Sequence, residues 1–449
     1  MLTPFPSQQK CIQQMVSAVR EHGAVLNNSG TGAGKTLQAI EACRELGLHP
    51  LVVTTATTTT AWVRSLNEQE LDWYDVLSWE KIKRGNTEWY RVSKRGRSTY
   101  RNWHLPKDVI LIFDESQKAM KLDTQNAKMV LSAVAKGFPV IFLSATPFID
   151  PLTMGTYVSA FKIIPSPMQF LRWARSMGAQ KNFWGSYEYK ETPENMARLS
   201  ALNSMLTERN LLVKADPVEI ASHFPENTVH TKLIEVDKKA AAQINAVATL
   251  FIRQEGLRED DIKRAQAKKR DIQAITDMLR ARQMVEAMKL PYIVETAQNM
   301  LDSGNSVVIF VSFVDTIDAI KEMMPNVPTC EISGRVTGPK RQKAIDSFQA
   351  DEAHLCIVQI ASGGAGISLH DTRGERPRVA LLNVTYSFVE MEQALGRIHR
   401  LGGKTPAVQY LLVAANTVEE SVASQLQTKY NKAKLLLNGE TDTNRILPE

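Results

Sequence analysis

The stretch Ser29-Gly-Thr-Gly-Ala-Gly-Lys-Thr36 decides the fold of this chain, because its residue types suit a phosphate-binding loop. It follows an apolar run at 23–26 that is typical of a buried strand. It precedes residues 37–46, where apolar side chains recur at helical spacing. Glycines let the backbone turn its N–H groups toward phosphate oxygens, and a helix N-terminus adds partial positive charge. The sequence therefore predicts a nucleoside triphosphate site between a strand and a helix.

Each position of this loop has an expected contact. Lys35 is predicted to reach the β- and γ-phosphates of ATP, and the Thr36 hydroxyl to ligate Mg²⁺. Ser29 stands where such loops usually begin with glycine. The alternative is a glycine-rich turn that happens to contain Lys-Thr, which the flanking strand and helix disfavour. The expected ATP-binding residues are Ser29, Gly30, Thr31, Gly32, Ala33, Gly34, Lys35 and Thr36.

The composition is that of an ordinary folded protein of 449 residues, with 43% hydrophobic and 23% charged residues, long enough for two or three domains. No apolar run approaches the ~20 residues of a membrane span, and the N-terminus lacks the layout of a secretion signal. The four cysteines have no paired spacing, which favours a reducing, cytoplasmic compartment and a soluble protein. A net charge of +6 permits a polyanionic partner without requiring one.

Strand-like and helix-like segments alternate in two parts of the chain. Continuous apolar runs bounded by helical stretches indicate parallel sheets covered on both faces. Between the two parts, residues 153–290 show almost no strand signal, and 259–282 is a charged stretch with apolar residues on one side. The predicted fold is therefore α/β, with lobes at 1–152 and 291–449 and a helical insertion at 153–290. The strand-like runs are 51–55, 109–113, 140–143, 307–311, 355–358, 379–382 and 408–413.

Two acidic residues, Asp114 and Glu115, end the apolar run at 109–113. A carboxylate at a strand end beside a phosphate loop is well placed to hold Mg²⁺, and Asp114 fits that role. Glu115 is predicted to orient and deprotonate the attacking water. The alternative is that the pair merely ends a strand and caps the next helix.

A third motif, Ser144-Ala145-Thr146, follows the apolar run at 140–143. Its small hydroxyl residues could bond to the acidic pair and sense whether the γ-phosphate is present. An ordinary strand-to-loop exit would also explain the motif, so its predicted coupling role depends on the other two.

The order of these three motifs closely resembles the first motor lobe of superfamily 2 helicases. In the second strand-rich part, Gly363-Gly-Ala-Gly366 resembles the glycine-rich motif that contacts ATP and nucleic acid. The segment Gln393-Ala-Leu-Gly-Arg397-Ile-His-Arg400 resembles the family's Q-x-x-G-R-x-x-R motif. The resemblance implies two RecA-like P-loop lobes in tandem, with ATP and Mg²⁺ in the cleft between them. It also implies ATP contacts from Gly366 and Gln393, and arginine fingers at Arg397 and Arg400.

Within that superfamily the chain is similar to the Swi/Snf-like branch, with the HARP-like annealing helicases as cousins. Trp62 lies in a segment that resembles this branch's P-x-x-L-x-x-x-W. Gln8 or Gln9 resembles the N-terminal glutamine that reads adenine, and the spacing to the apolar residues that follow favours Gln8. Three positions depart from the branch: Gln117 replaces a histidine, Gly403 a glutamine and Asn383 an aspartate. The chain is compact for the branch, which favours a bacterial or viral origin.

Residues 81–107 fall outside the family pattern. They hold nine Lys/Arg against one acidic residue, interleaved with Trp and Tyr. Such a segment suits gripping a phosphate backbone and stacking on a base, with Arg95, Arg97 and Arg101 as candidate contacts. A hairpin that is simply solvated explains the composition about as well.

The resemblance implies an ATP-hydrolysing motor that moves along double-stranded DNA without sequence preference and remodels DNA structures or displaces bound proteins. A strand-separating helicase acting on DNA or RNA is the nearest alternative. A further alternative is a binding protein and not a motor enzyme: a nucleic-acid-binding module that ATP switches and that hydrolyses little of it. The intact acidic pair and both arginines disfavour that module, because a pure switch does not need them.

Overall fold

The structure is a computed structural model, and the part of the chain that it describes forms two compact units. The described residues up to Ser222 and from Tyr430 onward make the first unit, and those from His223 to Lys429 make the second. The described residues are 3–96, 98–182, 185–239, 241–242, 245, 272–363, 367–385 and 387–438.

The first unit is built on a six-stranded parallel sheet with the strand order β10-β1-β7-β6-β2-β3. Two antiparallel hairpins, β4–β5 and β8–β9, accompany it. The strands are β1 Ala24–Asn27, β2 His49–Thr54, β3 Asp75–Ser78, β4 Tyr90–Arg95, β5 Ser98–Trp103, β6 Val109–Asp114, β7 Val140–Leu143, β8 Gln180–Lys181, β9 Tyr187–Glu188 and β10 Leu212–Val213.

The helices of this unit connect the strands, with three short 3₁₀ turns at Ser116–Ala119, Pro151–Thr153 and Pro167–Gln169. The first helix begins after Phe5, whose backbone N–H donates to Oε1 of Gln8 at 2.9 Å, and it ends at Gly23 in the left-handed conformation. The helices are α1 Pro6–His22, α2 Lys35–Leu46, α3 Thr59–Glu68, α4 Trp79–Ile82, α5 Gln125–Ala135, α6 Gly155–Ala160, α7 Phe170–Ser176, α8 Pro193–Glu208 and α9 Pro217–Ser222.

The second unit has its own six-stranded parallel sheet, with the order β11-β16-β15-β12-β14-β13. Its strands are β11 Asn227–Ile234, β12 Ser306–Val311, β13 Thr329–Ile332, β14 Leu355–Gln359, β15 Arg378–Asn383 and β16 Ala407–Ala414. Its helices are α10 Ile272–Met288, α11 Leu290–Asp302, α12 Val314–Met323, α13 Gly338–Gln349, α14 Ile360–Gly363, α15 Phe388–Leu395 and α16 Val418–Asn438, the last of which ends within the first unit.

The predicted strands are confirmed to within one or two residues, because strands buried on both faces leave continuous apolar runs. All residues of β12 and β15 are buried, as are those of β6 up to its last residue. The two tandem parallel sheets confirm the predicted α/β class. Within the described residues, no helix is both long and apolar enough to cross a bilayer.

The structure divides residues 153–290 differently from the predicted helical insertion. Residues 153–222 complete the first unit, where β10 pairs with β1, and β11 at 227–234 joins the second sheet beside β16. Both are edge strands that the sequence conceals: β10 has two residues, and β11 is polar and largely exposed. Of the charged stretch 259–282, residues to 271 lie outside the described part, and α10 begins at Ile272.

Candidate functional site

Three predicted motifs of the first unit follow strands that are neighbours in its sheet. The phosphate loop follows β1, the Ser-Ala-Thr motif follows β7, and the acidic pair ends β6. These strands run parallel in the order β1-β7-β6, so their carboxyl ends lie side by side. Ligands of open α/β sheets bind at this end of the strands.

The phosphate loop needs glycine at two of its positions. Gly32 and Gly34 have φ values of 80° and 79°, in the left-handed region that glycine adopts without strain. A Cβ on Gly34 would also lie 2.6 Å from Nε2 of Gln8. The Lys35 ammonium donates to the carbonyl oxygens of Ser29, at 2.8 Å, and Gly30, at 2.9 Å. The lysine therefore lies along the inside of the loop.

Serine replaces the usual glycine at position 29 because its buried side chain hydrogen-bonds the loop to other parts of the unit. The Ser29 hydroxyl accepts a hydrogen bond from the Ala215 N–H at 2.9 Å and donates to Oε1 of Gln38 at 3.3 Å. The Ser29 N–H donates to Oδ1 of Asn27 at 2.9 Å. Glycine would lose both hydroxyl contacts, and with them the link to the segment after β10.

Gln8 contacts the phosphate loop directly. Its Nε2 donates to the Ala33 carbonyl at 2.9 Å, and its Oε1 accepts from the Phe5 N–H at 2.9 Å. The side chain is buried, whereas Gln9 is exposed. Of the two candidate glutamines, Gln8 is thus the one that the structure places against the loop.

Asp114 is a half-buried carboxylate held by neutral donors. Its Oδ2 accepts from the Thr54 hydroxyl at 2.7 Å and the Trp62 indole N–H at 2.9 Å. Burial, and then the neighbouring Glu115 charge, raise the pKa of Asp114, while the two donors and the Lys35 charge oppose that rise. Oδ1 accepts from the Glu115 backbone N–H at 2.9 Å, so these three donors to the carboxylate are all uncharged and a divalent cation could supply the counter-charge.

Glu115 adopts a backbone conformation that is uncommon for a residue with a side chain. Its φ of 52° lies in the left-handed region, at the turn into the 3₁₀ segment. Gln117 Nε2 donates to the Glu115 carboxylate, and the Ser144 hydroxyl donates to Gln117 Oε1 at 2.6 Å. Ser144 Oγ in turn accepts from the Thr146 N–H at 3.1 Å.

These bonds change the predicted coupling between the motifs. Ser144 and Thr146 were expected to bond to the acidic pair themselves, with Ala145 between them. The structure instead places the amide of Gln117 as a bridge from Glu115 to Ser144. Gln117 had been noted only as a departure from histidine, and its role depends on a contact between positions 27 residues apart.

Sequence reasoning assigned no site role to three residues around Asp114. Thr54 and Trp62 bond its carboxylate, and the Trp79 indole donates to its backbone carbonyl at 2.8 Å. Thr54 could have been found, because it ends β2, the strand beside β6. The partners of the two tryptophans depend on packing that no spacing in the sequence indicates.

In the second unit, Arg397 and Arg400 lie just after the end of α15. The buried Arg397 donates through Nη1 to the Ile367 carbonyl at 3.2 Å. Arg400, which is half-buried, donates to the Gly396 carbonyl at 2.9 Å and the Ser368 hydroxyl at 2.7 Å. The arginine motif is thus joined to residues that follow the glycine-rich motif.

The same segment packs on the start of the second unit. His399 Nε2 lies 2.9 Å from the Pro225 carbonyl, and its ring centroid is 4.8 Å from that of Phe224. A Cβ on Gly403 would lie 3.0 Å from Cγ of Pro225. The departure at Gly403 therefore fits a close approach of Pro225.

Burial, followed by the charges of Arg400 and Arg378, lowers the pKa of His370 to about 4.

For three of the predicted site residues the structure describes no side chain. Gly366 and Arg97 lie outside the described residues, and only the backbone of Arg95 is described. Gln393 is half-buried near the end of α15. Arg101 lies in β5 and donates to Oε1 of Gln125 at 3.0 Å, so it contacts the protein.

Comparisons with known proteins agree with the motif order. A family model described as the helicase conserved C-terminal domain matches residues 289–402. The mimivirus protein named "Putative ATP-dependent RNA helicase L364", from Acanthamoeba polyphaga mimivirus, is 28% identical over 466 residues. That alignment covers 98% of this chain and 84% of that protein.

Two yeast proteins are similar over a third of the chain. The ATP-dependent helicase fft3 of Schizosaccharomyces pombe is 29% identical over 35% of this chain and 17% of its own length. The DNA repair and recombination protein RAD54 of Saccharomyces cerevisiae is 25% identical over 32% of this chain and 16% of its own length. The chain thus matches only a small part of these longer relatives.

A solved structure, the SWI2/SNF2 ATPase core of Sulfolobus solfataricus in complex with double-stranded DNA, is a looser match. It is 16% identical, covers 98% of this chain and 94% of that chain, and has a TM-score of 0.37. The sequence relatives carry the assignment. Over nearly its whole length the chain is similar to an ATP-dependent helicase, and residues 289–402 match the helicase C-terminal domain. These similarities, with those to fft3 and RAD54, agree with the resemblance to superfamily 2 helicases and their Swi/Snf-like branch.

Proposed function

We propose that this ATPase is a motor that moves along double-stranded DNA and uses ATP hydrolysis to remodel DNA structures or displace bound proteins. The observation that carries the proposal is the meeting of three motifs at adjacent strand ends of one sheet. A phosphate loop, a half-buried carboxylate and a hydroxyl-bearing turn at one place supply the parts that coupled phosphoryl chemistry needs.

The loop residues 29–36 would bind the phosphates of ATP through backbone N–H groups, with Lys35 as the fixed positive charge. Lys35 now bonds two loop carbonyls, and it would exchange them for phosphate oxygens. Gln8, already against the loop, would contact the adenine. Gln393 and Gly366 are the nucleotide contacts proposed from the second unit.

Mg²⁺ fits the donor set at the same place. Thr36 offers a hydroxyl, and Asp114 offers a carboxylate whose charge is supported by two neutral donors. Among the described residues, no group of three or more His, Cys, Asp or Glu side chains could hold a metal ion. Mg²⁺ characteristically binds through one or two protein ligands together with substrate phosphates, so these two residues are sufficient.

Glu115 would orient the attacking water and accept its proton. Its left-handed backbone and its bond to Gln117 fix the direction of the carboxylate. Because Gln117 also accepts from Ser144, a movement of Glu115 during hydrolysis would be passed to the turn at 144–146. This gives the coupling motif a physical route.

Arg400 would stabilise the charge that develops on the transferred phosphoryl group. Its guanidinium is only half-buried and is held by Ser368 and the Gly396 carbonyl. Arg397 is buried and bonds a backbone carbonyl, so part of its role is to hold the segment in shape. Both residues remain proposed catalytic groups.

DNA is proposed as the track because the relative RAD54 is a DNA repair and recombination protein. The double-stranded form is what the resemblance to the Swi/Snf-like branch implies. Contacts to phosphates would dominate, which makes movement independent of sequence. The rival function is strand separation on RNA, because the mimivirus relative is named as an RNA helicase.

ATPase rates measured with duplex DNA, single-stranded DNA and RNA of matched sequence decide between these functions. We expect the strongest stimulation by duplex DNA, displacement of a bound third strand, and no unwinding of a free duplex. The Lys35→Ala variant supplies the background rate. Stimulation by RNA alone would reject the DNA motor in favour of the RNA helicase.

A further inference from the structure

The open end of the hairpin β4–β5 is packed and hydrogen-bonded against the rest of the first unit. The rings of Tyr90 and Trp103 are buried, with centroids 4.7 Å apart. The Trp103 indole donates to the Ser132 hydroxyl at 2.9 Å, and the Trp89 indole donates to the Asp75 carboxylate at 2.9 Å. Tyr90, Trp103 and Trp89 therefore anchor the hairpin to the unit and are not available for stacking on a base.

The strand register separates the two faces of this hairpin. Residues directly opposite one another in an antiparallel pair share a face. The pairs Tyr90–Trp103 and Val92–Arg101 form the face toward the unit, where Arg101 bonds Gln125 of α5. The other face carries the pairs Arg91–Asn102 and Ser93–Tyr100, and all four of these residues are exposed.

This outer face carries an accessible cation, Arg91, and an accessible ring, Tyr100. Arg91 and Tyr100 occupy diagonal positions on it, a separation that long side chains bridge. Half of the Tyr100 side chain is exposed, although it is a large apolar ring. The hairpin and the segments on either side of it carry exposed cations, none of which forms an ion pair with another described residue. These cations are Lys81, Lys83, Arg84, Arg91, Lys94 and Lys107.

We propose that the outer face of β4–β5 binds an unpaired nucleotide of DNA, with the Tyr100 ring stacked on the base and Arg91 on an adjacent phosphate. An aromatic ring stacks on any base that is out of the duplex, while cations alone suffice for a paired backbone. The hairpin would thus direct the motor to forks and junctions. The inference rests on the proposed function, since it supplies the substrate of that motor.

The test compares the affinity of the full chain for a blunt DNA duplex and for the same duplex ending in an unpaired fork. Tyr100→Ala should bind the fork about tenfold more weakly and the blunt duplex equally well. Tyr100→Phe keeps the ring and should bind both as the wild type does. Because Tyr100 is half-exposed, the melting temperature should be unchanged.

Charge is tested separately. Arg91→Ala should lower the salt slope of fork binding by about 0.7, the value of one contact to a single strand. Arg101→Ala is the matched control on the inner face and should leave the slope unchanged. Equal loss on both DNAs in Tyr100→Ala, loss on an RNA fork only, or no loss would each overturn the inference. If DNA stimulates the ATPase of the wild type but Tyr100→Ala binds the fork as the wild type does, only the role of the hairpin is rejected. If DNA does not stimulate the ATPase of the wild type, the proposed motor function itself is rejected.

Discussion

Each unit has its own six-stranded parallel sheet, but the motifs of the two units carry opposite charges. In the first unit the half-buried Asp114 carboxylate accepts from neutral donors, whereas in the second the buried Arg397 guanidinium donates to a backbone carbonyl. The partners of both groups in these contacts are uncharged. A carboxylate kept in this way suits a cation, and a guanidinium suits an anion.

The difference also shows in the groups that surround each motif. In the first unit, burial and then the Glu115 charge raise the pKa of Asp114, because both disfavour its charged form. In the second unit, burial and the charges of Arg400 and Arg378 lower the pKa of His370 to about 4, so this histidine is neutral near pH 7. Two similar sheets thus surround groups of opposite charge, and the proposed roles differ accordingly: nucleotide binding in the first unit and charge stabilisation in the second.

The largest effect should follow from removing the cation of the phosphate loop. Lys35→Ala deletes the ammonium that bonds the Ser29 and Gly30 carbonyls, and we expect ATP hydrolysis to fall to background. Steady-state ATPase assays with saturating DNA measure the loss. Lys10→Ala, an exposed lysine of α1, should retain the wild-type rate. A Lys35→Ala enzyme that still turns over would remove the first unit from the chemistry.

The second unit should contribute nearly as much. Arg400→Ala is expected to lower kcat about a thousandfold, the scale of an arginine finger. Arg400→Lys should restore little, because an ammonium lacks the planar fork of donors. Quenched-flow hydrolysis assays would measure the rates. Full activity in Arg400→Ala would show that the comparison assigns the wrong unit to this role.

The bridge at Gln117 should have an intermediate effect. Gln117→Ala removes the link from Glu115 to Ser144, and we expect stimulation of the ATPase by DNA to fall about tenfold, the scale of one hydrogen bond. Gln117→His should recover part of the stimulation, since imidazole can also bridge. The ratio of stimulated to basal kcat is the measurement, and an unchanged ratio in Gln117→Ala would contradict the coupling route.

The smallest effect concerns pH. The Trp62 indole donates to the charged form of Asp114 and lowers the pKa of that carboxyl. Trp62→Phe should raise this pKa further, so that protonation begins at a higher pH and the acid limb of the kcat profile moves upward. Trp79→Phe is the matched control, because Trp79 bonds the Asp114 backbone carbonyl. A limb that moves equally in both variants would indicate packing as the cause.

Much of this organisation could be predicted because it depends on local patterns. The buried strands β6 and β12 leave apolar runs, and the parallel-strand rule brings the phosphate loop and acidic pair together. Contacts between distant positions could not be predicted in the same way. The hydrogen bonds between Ser29 and Ala215 and between Ser144 and Gln117 form only once the chain is folded. Edge strand β11 escaped notice because polar, exposed residues carry little strand signal.

The central claim is that the first unit binds the nucleotide while Arg400 of the second acts on its hydrolysis. Measuring ATP affinity and single-turnover hydrolysis on the same preparations of wild type, Lys35→Ala and Arg400→Ala tests it directly. The prediction is that Lys35→Ala loses affinity, whereas Arg400→Ala keeps its affinity and loses hydrolysis. Wild-type hydrolysis by Arg400→Ala, or a loss of affinity as large as that of Lys35→Ala, would contradict the account.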